Sequence, residues 1–174
     1  MEETHMTTAK LIINGKEIEV QLTEEQAQEL TAQMKVTGFE RVKADETYFH
    51  TDGDGEFSED YEGGVSVDDR RYQNANYYSD ATLAEWCIRN DTLNRKMRRW
   101  AAEHNTDTID WEDRFSDTCF ISYNYEHKEV DITHCYATAR AGVVYFCMSE
   151  IAEEAIKEFG DEIKWLAENR PKWF

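Results

Sequence analysis

Eight carboxylates crowd one segment of this chain: Asp52, Asp54, Glu56, Glu59, Asp60, Glu62, Asp68 and Asp69, with no Lys or Arg among them. Clustered oxygens can coordinate a hard cation. They can also project a field that repels phosphate and attracts the Lys and Arg side chains of another protein. Calcium fits poorly, because the acids do not fall at EF-hand spacing. Asp52-Gly53-Asp54-Gly55, flanked by Tyr48-Phe49-His50 and Glu56-Phe57-Ser58, is better explained as a tight hairpin. The eight acids are therefore assigned as partner-binding residues. The plainer alternative is a solvated face that keeps the protein soluble.

Cysteine and histidine offer a second chemistry. If a two-residue hairpin spans Tyr125-Glu126-His127-Lys128, Tyr123 faces Val130, Ile121 faces Ile132 and Cys119 faces His134. A third strand over Val143, Tyr145 and Cys147 then extends a row of Cys119, His134 and Cys147. Two thiolates and an imidazole suit a structural Zn²⁺. Cys135 points to the other face unless a bulge turns it in, and His50, Cys87 or water are further fourth ligands. Against zinc, cysteines pack as small hydrophobes, and no CxxC or HxxxH spacing is present. A cysteine nucleophile with His134 or His127 as base lacks a recognisable oxyanion hole or activating helix N-terminus. No phosphate loop, nucleophile elbow or HExxH motif occurs. The chain reads as a non-enzyme, with a metal-dependent enzyme as the remote alternative.

Several elements must position these residues. Lys10–Val20 reads as a hairpin about Asn14-Gly15. Thr23-Glu24-Glu25-Gln26 is a capping box opening a helix that carries Ala27, Leu30 and Met34 and runs to about Lys35. Residues 79–104 are helical, with Leu83, Cys87, Leu93, Met97, Trp100 and Ala101 on one side. This helix also holds the basic stretch Arg89, Arg95, Lys96, Arg98 and Arg99, which either answers the acids internally or forms a solvated face. Strands are expected over 119–125, 129–136 and 143–147. A helix from Ser149 buries Ile151, Ala152, Ala155 and Ile156 and stops at Gly160. A last helical piece over 161–169 carries Ile163, Trp165 and Leu166 and ends before Pro171. Trp165, Trp173 and Phe174 either finish a core or anchor an interface. Residues 77–88 resemble residues 145–156, each an aromatic strand end followed by a capped helix, with a hairpin upstream. The expected fold is α+β, built of antiparallel hairpins with packed helices as two related β-hairpin-strand-helix units. Residues 1–43 form an N-terminal hairpin and helix, and 44–174 the main domain.

Composition limits the function classes. The chain has 174 residues, 37 Asp and Glu against 19 Lys and Arg, and a net charge of -18. That balance argues against direct nucleic acid binding. At 40% hydrophobic and 13% aromatic residues, the chain is too apolar for an acidic disordered tail. No apolar run reaches membrane-spanning length, and no secretory signal is visible in Met1-Glu2-Glu3-Thr4-His5. A cytoplasmic location is expected, with the four cysteines reduced.

The Asn14-Gly15 hairpin with its capped helix, Thr37-Gly38-Phe39-Glu40-Arg41-Val42, the Tyr-rich hairpin around Asp52–Gly55, Glu103-His104-Asn105 with Ile109-Asp110-Trp111, and Val144-Tyr145-Phe146 leading into Glu150–Gly160 together resemble a family of small acidic proteins. These are encoded by phages and mobile elements of Gram-positive bacteria. Some resemble type II-A anti-CRISPR proteins. The resemblance implies inhibition of Cas9 by protein–protein contact, the acidic surface occupying a basic region and blocking target DNA loading. It supplies no catalytic motif, and the cysteines lie outside it. An acidic interaction protein directed at another host nucleic-acid-binding factor is the alternative.

Overall fold

The N-terminal prediction is met by β1 (Met6–Ile13), β2 (Lys16–Thr23) and α1 (Glu24–Gln33) in a computed structural model, which describes residues 6–13, 16–33, 36–112, 117–135 and 138–172. The expected Asn14-Gly15 turn lies outside the described residues, and the arms pair antiparallel with Leu11 opposite Ile18. The capping box forms as its residues require. Thr23 Oγ1 accepts from the Gln26 amide at 3.2 Å, and Gln26 Oε1 accepts from the Thr23 amide at 3.1 Å. These elements make one compact unit ending at Thr37.

The second unit begins at Gly38, earlier than the expected boundary after residue 43. The reason is bonding: Gly38 O accepts from the Ser79 amide at 2.8 Å, and Arg41 reaches Glu62 and Asp69. Gly38 itself has φ +86, and a Cβ there would meet Leu83 Cδ2 at 2.6 Å. Only glycine permits this approach of the chain to the start of the long helix.

This unit is α+β and contains one supersecondary unit twice. β3 (Thr47–Thr51) and β4 (Phe57–Tyr61) form a hairpin, followed by α2 (Ser66–Gln73) and α3 (Ala81–His104). β5 (Cys119–Asn124) and β6 (Glu129–His134) form a second hairpin, followed by α4 (Ser149–Glu168). In each copy one residue after the hairpin bridges antiparallel to its first strand, Tyr78 to Phe49 and Phe146 to Cys119. Each bridging residue sits three positions before its helix. Tyr78 and Phe146 are the residues that the sequence repeat aligns. The expected strand over 143–147 is thus reduced to a single bridge.

α3 and α4 pack on one another. Leu93, Met97 and Ala101 meet Ile151, Ala152, Ala155 and Leu166 in one core with Cys119 and Phe146. A smaller cluster joins Tyr78, Leu83 and Ala84 to Phe39, Phe49 and Cys87. Asp80 caps α3 by accepting from the Leu83 amide at 2.7 Å. α4 is capped from outside its own segment, since Asp117 Oδ2 accepts from the Ser149 amide and hydroxyl at 3.2 and 3.3 Å.

Two expectations are corrected. α4 does not stop at Gly160, because its apolar stripe continues through Ile163 and Leu166 against α3. Burial of that stripe outweighs the propensity cost of one glycine. α2 has no counterpart among the predicted elements: it lacks apolar periodicity, and its Asp68 side chain holds its first turn. A Cβ at Gly160 would lie 3.4 Å from Ile156 Cγ2, an ordinary contact. Gly160→Ala is therefore expected to raise stability by about 0.5–1 kcal/mol, read as a higher denaturant midpoint with unchanged slope.

Candidate functional site

The eight acids divide into two populations. Glu62 and Asp68 are 4% and 1% exposed, so their expected role in partner contact is corrected: they face inward. A buried carboxylate must be fully bonded. The Arg41 guanidinium grips Glu62 with two bonds of 2.8 Å, the Tyr77 hydroxyl donates at 2.8 Å, and the Gly64 amide donates at 2.8 Å. Asp68 accepts from the Tyr48 hydroxyl at 2.8 Å and from the Gly63 and Val65 amides at 3.0 and 3.1 Å. Tyr48 and Tyr77 stack face to face at 4.0 Å. Both carboxylates are thereby joined through one aromatic pair.

Asp60 and Asp69 are half-exposed but engaged. Asp60 pairs with Arg71 at 2.8 Å, and Asp69 with Arg41 at 2.7 Å. Arg71 also donates to the Tyr48 hydroxyl and lies over its ring. Asp52 is exposed, yet its Oδ1 accepts from the Asp54 and Glu56 amides at 2.9 Å each and closes the hairpin turn. These hydrogen bonds, the Glu56 amide foremost, hold the Asp52 carboxyl below the usual range. The tight-hairpin explanation of Asp52-Gly53-Asp54-Gly55 accounts for this geometry.

Asp54, Glu56 and Glu59 remain exposed with no cation paired to them among the described residues. On the face of β4 that carries Glu59, Phe57 and Tyr61 are 44% and 66% exposed. The surface that the sequence assigned to acids alone is therefore acidic and aromatic. Phe57 and Tyr61 were missed because alternation along β4 gives no sign of which face is covered.

The basic stretch of α3 makes no ion pair with these acids among the described residues, although the Arg95 guanidinium reaches the hairpin tip beside Gly55. Arg89 pairs with Glu162 of α4 at 2.7 Å and with Glu85 at 3.3 Å, and lies 3.4 Å above the Trp165 ring. Trp165 thus belongs to the helix pair, while Trp173 and Phe174 lie outside the described residues. A groove of about 810 Å³ between the hairpin tip, α3 and α4 is lined by both signs of charge, including Lys96, Arg99, Glu103 and Glu158.

The cysteine row is assembled in part. Cys119 faces His134, Ile121 faces Ile132 and Tyr123 faces Val130, as the hairpin register requires. The turn spans residues 125–128, with Lys128 at φ 57, instead of two residues. The register expected for Cys147 is corrected: Phe146 lies opposite Cys119 on the side away from His134. Cys147 Sγ lies 3.9 Å from Thr106 Oγ1, His134 Nδ1 lies 3.1 Å from Asp117, and Cys135 Sγ donates to Thr118 O at 3.5 Å. Burial pushes the Cys119 thiol up to about 12. His50 is buried with no hydrogen-bond partner for Nδ1 among the described residues, and Cys87 is half-buried. Among the described residues no three His, Cys, Asp or Glu side chains gather closely enough to hold a metal ion. No helix among them is long and apolar enough to cross a membrane.

The chain matches no known family model, and no curated protein or solved structure matches it.

Two outcomes follow from this geometry. Arg41 holds the folded Glu62 carboxyl down to about 2, against 4.5 for a free one. Its stabilisation is complete above pH 4.5 and is lost as pH falls from 4.5 towards 2. Glu62→Gln is expected to flatten the pH dependence of the unfolding midpoint over that interval, while lowering the midpoint at pH 7. Elemental analysis of protein purified without chelator tests the zinc expectation, and a content near zero would remove it. One zinc per chain would show that Cys119, His134 and Cys147 leave their present partners for a metal.

Proposed function

We propose that this protein is a stoichiometric inhibitor that binds a basic region of Cas9 and blocks target DNA loading. The observation that supports this reading is the division of the acids. Arg41 and Arg71 are consumed within the frame, and Asp54, Glu56 and Glu59 form no ion pair among the described residues and lie beside Phe57 and Tyr61. Exposed carboxylates around aromatic anchors suit a Lys- and Arg-rich protein surface. Cas9 holds its guide–target heteroduplex in a positively charged channel and reads the PAM with arginines. A chain of net charge -18 competes there with DNA for the same cations. The resemblance to anti-CRISPR proteins supplies the partner, and the hairpin supplies the contact. Asp52 contributes field from the turn it closes. Glu62 and Asp68 contribute through the rigidity of the frame.

The test is titration of the protein into Cas9–guide complex before target DNA is added. Loss of DNA binding with a one-to-one endpoint is expected. The triple variant D54K/E56K/E59K should weaken inhibition by roughly tenfold or more at low salt, with a smaller difference at high salt. Lost cleavage with intact DNA binding would move the block to a later conformational step. No effect on several Cas9 orthologs would remove Cas9 as the partner, and a pulldown panel of other nucleic-acid-binding host proteins would follow.

A further inference from the structure

β4 offers more than side chains. In an antiparallel pair, residues alternate between bonding their partner and aiming their backbone groups away from it. The Glu62 amide donates to Glu46 O at 3.0 Å, and the Asp52 amide to Glu56 O at 2.9 Å. With Phe49 opposite Glu59 in the register, this alternation turns the N–H and C=O groups of Phe57, Glu59 and Tyr61 away from β3. Phe49 supplies an independent check. It turns from β4 and exchanges both backbone bonds with Tyr78, at 2.8 and 2.9 Å. The β3 edge is thus closed by Tyr78, whereas β4 has no partner on its far side among the described residues.

The outer edge of β4 is open at its centre. Tyr61 N–H is taken by Asp60 Oδ1 at 2.9 Å, while the amides of Phe57 and Glu59 have no acceptor among the described residues. β6, the equivalent strand of the second unit, differs at this point. Its central outward residue is Ile132, whose amide is occupied by Asp131 Oδ1 at 2.8 Å. β4 also lacks the Lys, Pro or bulge that commonly blunt an edge. Self-pairing is opposed by like charge, because a second copy would bring Glu56 and Glu59 against the same acids.

We infer that β4 docks its partner by strand addition: an extended, basic polypeptide segment pairs along Phe57–Tyr61. Its backbone bonds the outward groups of Phe57 and Glu59, and its Lys or Arg side chains meet Glu59 and Glu56. Charge complementarity selects a basic segment over an apolar one, and the free amides select an extended one over a helix. This docking mode rests on the proposed function only in taking the partner to be a basic protein.

The probe is an end-blocked eight-residue peptide of alternating Lys and Val, titrated into the full chain at low salt and followed by amide-resolved NMR. Hydrogen exchange at the amides of Phe57 and Glu59 is expected to slow by about tenfold or more at saturation. Proline is tolerated on an edge strand where its missing N–H faces solvent. Glu59→Pro should therefore retain the unfolding midpoint of Glu59→Gln, yet bind the peptide about tenfold more weakly than Glu59→Gln does. Equal binding by the two variants, unprotected amides in the wild-type complex, or no peptide binding at millimolar concentration would each overturn strand addition. A negative Cas9 titration with these peptide results intact would remove the partner and leave the docking mode standing.

Discussion

The Glu62 carboxylate, buried and gripped by Arg41, Tyr77 and Gly64, is the interaction on which the larger unit depends. Removing a carboxylate from water is costly unless every lone pair finds a donor. Here the donors come from three segments, two of them far from Glu62 in sequence. Arg41 fastens the entry segment, Gly64 the loop after β4, and Tyr77 the approach to α3. Tyr77 stacks on Tyr48 of β3, which passes the constraint to Asp68 and so to α2. One desolvated charge thus sets the relative placement of the hairpin, the short helix and the start of the long helix.

That placement explains how so acidic a segment folds. Of eight acids in eighteen residues, Glu62 and Asp68 are internal acceptors, Asp60 and Asp69 pair with arginines, and Asp52 closes its own turn. Burial pushes the Asp68 carboxyl up, yet bonds from Tyr48, Val65 and Gly63 together hold it ionised. The remaining charge is left at the tip and outer face of β4. The same bonds that satisfy the frame therefore concentrate the unpaired acids on one strand.

The repeated hairpin, bridge and helix show how one plan yields two different surfaces. In both units the helix starts three residues after a bridge to the first strand. This leaves the second strand as the outer edge each time. In the second unit Asp131 covers the central amide of β6. In the first, Asp60 covers only a terminal one, and Arg71 holds the same carboxylate from the other side. The two outer strands thus differ in where the occupied outward amide falls, at the centre of β6 and at the end of β4.

Much of this was legible in the chain itself. Asn14-Gly15 and Thr23–Gln26 specify local hydrogen bonds, so the hairpin arms and the capping box could be read directly. Pairing of Cys119 with His134 followed from symmetry about the 125–128 turn, and matching Tyr78 to Phe146 revealed the repeat. What needed the tertiary structure was any property set by partners distant in sequence. Asp68 and Glu59 look alike as neighbours in an acidic run, and only Tyr48, Gly63 and Val65 distinguish the buried one. Gly160 carries a stop signal locally, which α3 overrides by burying Ile163 and Leu166. Composition determined that this protein presents negative charge, because 37 acids cannot be neutralised by 19 cations. Which carboxylates present it was decided by where the arginines, tyrosines and backbone amides converge, since desolvation admits a charge only where all its donors meet.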